Sequence, residues 1–188
     1  MKAVTRSILM LLLILLAGCA TTAWKRVDES SRQYDIEHYS LRLPDGWMRN
    51  ESTGDLVLSR DGIGLQRIII RYRPHDKAFE KLKRSSTPEM LPSELAQLAI
   101  AEIKAGPGDG MPSLMVFSNI PFEIAGNTGF AIHLGFKTKQ GLRIQVLSRG
   151  FSDAHGFYQL LYRAPALHYF EKDRETFESV VRSMRPKS

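Results

Sequence analysis

The chain has 188 residues, 43% hydrophobic and 24% charged, with 26 Lys+Arg against 20 Asp+Glu. That length suits one domain, or one domain plus a targeting segment, and the composition excludes wholesale disorder. The single cysteine excludes an intramolecular disulfide framework and any cysteine-based zinc cluster.

Lys2 and Arg6 open the chain, Ile8 to Leu16 are uninterruptedly apolar, and Leu16-Ala17-Gly18-Cys19 follows at once. About ten apolar residues are too few to cross a hydrocarbon core, which needs roughly twenty. A basic start, a short apolar run and a small-residue cleavage site are the parts of a secretory signal peptide. Here the last four residues resemble the lipobox of bacterial lipoproteins. The resemblance implies cleavage before Cys19 and acyl chains, palmitate among them, on its sulfur and its new amino group. The competing reading is an ordinary secretory signal with Cys19 beside the cleavage site. Two or more acyl chains anchor a protein stably, so the expected mature protein is membrane-anchored without a transmembrane helix. Ala20, in place of Asp, resembles the outer-membrane sorting pattern, which puts the expected location at the periplasmic face of the outer membrane in preference to the inner. Loss of Lys2 and Arg6 leaves 24 basic and 20 acidic residues. Nucleic acid is not an expected partner at that address.

The expected organisation is a signal peptide over 1–18, a lipidated N-terminus and flexible tether over 19–35, and an α+β domain over 36–188. Residues 20 to about 34 are polar and non-periodic; as a flexible coil they would hold the domain about 20 Å from the bilayer. Within them, Trp24-Lys25-Arg26 suits either an anionic membrane interface or a solvated tether.

The domain opens with Tyr39, Leu41 and Leu43 alternating with polar neighbours, which is strand spacing. Pro44-Asp45-Gly46 has turn chemistry, and Trp47 is expected to cap the core. Strands over 56–60 and 65–72 flank Asp61-Gly62-Ile63-Gly64, a hairpin signal. Ala78, Phe79 and Leu82 suggest a short helix. Pro92 stands near the start of a stronger one that carries Leu95, Leu98, Ala99 and Ile103 on one face and ends at Gly106-Pro107-Gly108. Strands are expected at about 114–124, 128–138, 142–151 and 156–163, joined at hairpin lengths and therefore antiparallel. A last helix over about 168–184 aligns Phe170, Phe177, Val180, Val181 and Met184 in one stripe. The predicted fold is α+β, an antiparallel sheet of about six or seven strands with helices packed on it.

Three features carry a family resemblance: Tyr39-Ser-Leu-Arg-Leu-Pro-Asp-Gly-Trp47 at the opening, the hairpin series in the middle, and Phe157-Tyr-Gln-Leu-Leu-Tyr-Arg-Ala164 before the last amphipathic helix. Over residues 38 to 185 this pattern resembles the PsbP-like superfamily, which includes DcrB-type bacterial lipoproteins. The resemblance implies an α/β/α sandwich around an antiparallel sheet, and an accessory or interaction protein without catalysis. It carries over no binding residues.

Catalytic chemistry finds little support in the residues. His38, His75, His133, His155 and His168 form no His-x-x-x-His pair and none neighbours a cysteine, so no local metal signature exists. His133 is expected on the second face of the sheet, beneath or beside a helix. There is no Gly-x-Ser-x-Gly elbow, and Gly106-Pro-Gly-Asp-Gly110 lacks the Lys-Ser/Thr of a P-loop. No cofactor is implied. Arg60, Arg67, Arg71 and Arg73 cluster across one hairpin and either attract an acidic partner or headgroup, or form a solvated strand face.

The resulting expectation is a non-enzymatic, lipid-anchored cell-envelope accessory protein that binds or supports an envelope protein or complex. The alternative is a small-ligand-binding envelope lipoprotein with a pocket near residues 105–113. A deep pocket with converging polar groups would favour a ligand, and a flat exposed apolar patch a protein partner.

Overall fold

The structure, a computed structural model, describes residues 24–106, 111 and 113–187. The signal segment, Cys19 and part of the glycine-rich connector lie outside those residues.

Alternating apolar residues and short turns build most of the fold. Strand β1 (Lys25–Arg26) pairs with β4 (Met48–Asn50), and β4 with β5 (Leu56–Ser59). A hairpin joins β5 to β6 (Arg67–Arg73), which lies beside β10 (Phe157–Pro165). The three-hairpin run of β7 (Met115–Ile124), β8 (Asn127–Lys137), β9 (Arg143–Ser152) and β10 completes one antiparallel sheet of order β1-β4-β5-β6-β10-β9-β8-β7. A second sheet, β11-β3-β2, combines β2 (Gln33–Ile36), β3 (Tyr39–Arg42) and β11 (Arg185–Pro186). The first helix, α1, spans Pro92–Lys104, and the second, α2, spans Tyr169–Arg182. Pro92 opens α1 without wasting a hydrogen-bond donor. Glu94 accepts the Leu91 N–H at 3.1 Å, closing half of a capping box.

Central strands buried on both faces lose their polar alternation, and β10 shows this: Tyr158, Leu160 and Tyr162 face one core, Phe157 and Leu161 the other. The first core joins these tyrosines, Leu58, Ile68 and Ile70 to Phe170, Phe177, Val180 and Val181 of α2. The small sheet adds Tyr39 and Leu41 to it, and Trp47 and Leu43 fill the remaining edge. The second core sets Leu95, Ala96 and Ala99 of α1 on Phe130, Ile132, Leu134 and Phe136 of β8. The result is an α+β domain with an α2 layer and an α1 layer on opposite faces of the large sheet.

Three expectations change. The tether expected over 19–35 does not extend that far. Val27 is fully buried, with its N–H on the Trp47 carbonyl at 2.7 Å, and β1 and β2 already belong to the sheets. Strands of two to four residues are too short to show alternation, and only Val27 and Ile36 mark their burial. The short helix expected at 78–82 is instead two 3₁₀ turns, His75–Lys77 and Glu80–Leu82. Phe79 between them has a non-helical backbone (φ -130°, ψ 71°) and is buried against the Phe157 ring, 4.9 Å between centroids, so no α-helix runs through it. The strand count rises to eight plus three because β1, β2, β4 and β11 are fragments of two to four residues.

Candidate functional site

Strand β7 occupies one edge of the large sheet and pairs with β8 alone. Pro121 within it suits only such an edge, because proline cannot donate to a second ladder. Ten residues long, β7 leaves its outer row of backbone groups without a neighbouring strand among the described residues. Four of its apolar side chains are exposed, Met115 at 63%, Phe117 at 53%, Ile120 at 55% and Val116 at 45%, beside the polar Ser118, Asn119 and Glu123. Proteins ordinarily blunt such edges with charge, brevity or cover.

A register shift between Val116 and Ser118 inserts an extra residue opposite β8. This bulge swings Phe117 onto Gly135 of β8. A methyl group at Gly135 would lie 2.8 Å from the Phe117 ring, so glycine is what lets the ring lie down. The Phe117 ring also meets His133 edge-on at 4.9 Å. His133 stacks flat on Phe170 of α2, 5.4 Å between centroids, and its Nε2 contacts Gln145 Oε1 at 2.6 Å. His133 therefore lies beside a helix on the second face, as its spacing suggested, and its ring is wedged between two aromatic side chains.

Beside these residues lies an open cleft of about 880 Å³, floored by Gly135 and His133 and walled by Met115, Phe117 and Ile144. Lys137 and Arg143 stand on its lining. Leu142 and Leu167 are exposed nearby in the chain, Leu167 at 86%. Ser113 and Leu114 place the cleft next to the glycine-rich connector, near the pocket expected around 105–113. The arrangement can bury an extended apolar segment, and its charge at the rim is positive. It offers no nucleophile–base pair, and among the described residues no group of three His, Cys, Asp or Glu side chains could hold a metal.

The four arginines singled out in the sequence do not form one surface. Arg60 lies on the α2 side, 2.9 Å from the fully buried Asp173 and over the Trp47 ring. Gln66 donates to both Asp173 and Asp61, and Lys172 reaches Asp61, so Arg60 belongs to a network that fastens α2 to the β5–β6 hairpin. Arg71 and Arg73 lie on the other face and share Asp55, at 2.9 and 2.7 Å. Burial lowers the Arg71 pKa, and the Asp55 charge opposes that shift. Arg67 alone keeps no acidic partner among the described residues. The sequence reading missed Met115, Phe117 and Ile120 as surface residues. Pro121 was the signal that could have marked their strand as an edge.

A second polar cluster ties the two sheets together. The Tyr39 hydroxyl donates to Asp153 and accepts from Asn127, each at 2.8 Å, and burial followed by the Asp153 bond pushes its pKa up to about 12. His38 and His155 stack alongside at 3.6 Å.

No protein-family model and no curated protein sequence matches the chain. Solved structures do match. The cyanobacterial PsbP of Synechocystis is similar over 90% of this chain and 96% of its own, with 14% identity and a TM-score of 0.53. PA94 of Pseudomonas aeruginosa, a protein of unknown function, is similar over 83% and 96%, with 9% identity and a TM-score of 0.52. LpqN of Mycobacterium tuberculosis, involved in cell envelope biogenesis, is a weaker likeness at 12% identity and a TM-score of 0.41. The fold is PsbP-like. At these identities the likeness is one of fold and not of function.

Proposed function

We propose that this protein is a lipid-anchored accessory protein of the bacterial cell envelope, held through Cys19 at the periplasmic face of the outer membrane. In this reading it performs no catalysis and binds another envelope protein. The observation that carries the reading is the free β7 edge, with Met115, Phe117 and Ile120 exposed along ten residues. Its occupant is an extended segment of the partner, adding a strand to the sheet and seating an apolar side chain in the adjacent cleft. Lys137 and Arg143 favour an acidic residue at the rim of that segment. No helix among the described residues is long and apolar enough to cross a membrane, which accords with a lipid as the anchor.

The alternative, a small-ligand carrier, draws support from the cleft volume, since ligand pockets run from about 300 to 1,000 Å³. Its open mouth and its place against an unpaired strand favour the peptide.

A photocrosslinking residue at Asn119, introduced into the full chain in intact cells, tests the proposal. A defined adduct with one envelope protein is expected, lost when Met115, Phe117 and Ile120 are all changed to Ser. An adduct with a second copy of the chain alone would replace the partner by self-association. Capture that is undiminished by the triple change would overturn the reading.

A further inference from the structure

On the α1 side of the sheet, β6 and β10 bring two arginines face to face: Arg67 and Arg163 are directly opposite in the antiparallel register. Like charges in that position repel. Elsewhere on the same face the repulsion is cancelled, since Asp55 bridges Arg71 and Arg73. At Arg67 and Arg163 nothing cancels it: among the described residues no carboxylate lies within ion-pair distance of either. The Arg67 Nε is buried and has no hydrogen-bond partner. Arg163 has only the Phe136 ring, with its guanidinium carbon 5.0 Å from the centroid.

Both side chains line a recess of about 220 Å³ whose other walls are Ile63, Gly64, Leu65, Ile144, Ala164 and Pro165. No acidic residue is among them. The recess falls below the 300 Å³ or so at which drug-sized pockets begin, so it fits a small group. Guanidinium forks match tetrahedral oxyanions bidentately. Two guanidinium groups suit a tetrahedral phosphate, whose several oxygens can serve both forks, better than a planar carboxylate, whose two oxygens serve one.

We propose that Arg67 and Arg163 form a binding site for a phosphate group, seated against the turn that joins β5 to β6. The site takes no residue from β7, although it shares the Ile144 wall with the cleft beside that strand. The phosphate comes either from a free phosphate or phosphomonoester, or from the phosphodiester of a lipid headgroup.

The test uses the full chain in non-ionic detergent, titrated calorimetrically at constant ionic strength with inorganic phosphate and, separately, with glycerophosphoglycerol, the water-soluble headgroup of phosphatidylglycerol. Saturable binding of at least one probe is expected, weakened about tenfold or more by Arg67→Gln and again by Arg163→Gln, as loss of a charge-assisted pair implies. Arg174→Gln, on the exposed face of α2, should leave it unchanged. Tighter binding of inorganic phosphate identifies a free or monoester ligand, and tighter binding of the diester identifies a headgroup. Because the variants alter the sheet, a second measurement uses the unmodified chain: the assigned Arg67 Nε–H resonance should move on addition of the bound probe while that of Arg71 stays. Absence of saturable binding by both probes, binding equal in wild type and both Gln variants, or an unmoved Arg67 resonance would overturn the proposal.

Discussion

Phe177 and Phe117 stand on the same side of the large sheet, and replacing each by alanine should have opposite consequences. Phe177 is fully buried, between the Tyr162 ring at 5.8 Å and the Arg149 guanidinium at 5.8 Å. Arg149 in turn is ion-paired to Glu178 one residue along α2. Removing the ring loses its transfer free energy and leaves a cavity that β10 and α2 cannot both close, at a cost of about 3–5 kcal/mol. For a domain of this size, that corresponds to a melting temperature lower by roughly 6–20 °C. Phe117 is 53% exposed, so Phe117→Ala should stay within about 1 kcal/mol of wild type. Denaturant titration of both variants, followed by α2-dependent circular dichroism, supplies the comparison. The denaturant slope should be unchanged in each, because the folded and unfolded states expose the same surface as before. In crosslinked cells the order should reverse: Phe117→Ala weakens partner capture, while folded Phe177→Ala protein retains it. A Phe177→Ala variant that melts within 2 °C of wild type, on the order of 1 kcal/mol or less, would refute the packing argument.

Cys19→Ser should abolish incorporation of labelled palmitate and release the protein from sedimented membranes; an unmodified Cys19 in the mature wild-type protein, seen by mass spectrometry, would contradict the anchor. Alkaline pH should unfold the domain through its tyrosines. Burial and the Asp153 bond raise the Tyr39 pKa to about 12, and burial raises those of Tyr158 and Tyr162 further. A raised pKa means the folded state holds the proton more tightly. That stability is intact below the ordinary tyrosine pKa near 10 and falls away as pH climbs through 12. Absorbance at phenolate wavelengths should therefore show these three groups ionising together with unfolding, and Tyr39→Phe should lessen the loss between those limits.

The elements that could be read from sequence are those whose burial imposes a long period. The α2 stripe of Phe170, Phe177, Val180, Val181 and Met184 is buried throughout, and the three hairpins from β7 to β10 fall where Gly126, Gly141 and Gly156 place turns. The elements that escaped it are held by partners distant in sequence. β1 exists because Val27 reaches Trp47, and a two-residue strand carries no pattern of its own. The arginine cluster misled for the same reason. The neutralising partners Asp55 and Asp173 lie outside the run, one of them more than a hundred residues away, so the charges of Arg60, Arg71 and Arg73 are spent on internal pairs and only that of Arg67 is not. The exposure of Met115, Phe117 and Ile120 could not be seen because an apolar run reads alike at the centre and at the edge of a sheet. Only Pro121 distinguishes the two.

In the proposed anchored form the sheet order also constrains how the domain meets the membrane. β1 lies at one edge of the eight-stranded sheet and β7 at the other. At the usual strand spacing the two edges are about 34 Å apart. From Cys19 to Lys25 the chain can reach at most about 20 Å even when fully extended. In the proposed lipid-anchored form the β1 edge would therefore be tied close to the bilayer, and a sheet standing upright on it would turn β7 toward the periplasm, where a partner could lay a strand along it without competing with lipid. Tethering on this side raises the local concentration of β7 in a thin layer above the membrane. Because the only native cysteine is the proposed lipid site, single cysteines at Lys25 and at Asn119 can be labelled selectively with a fluorophore in reconstituted vesicles. Nitroxide groups on the lipid headgroups should quench the Lys25→Cys label strongly and the Asn119→Cys label weakly. Equal quenching of the two labels would show that the sheet lies flat on the bilayer, and the β7 edge would then lose its claim to face a periplasmic partner.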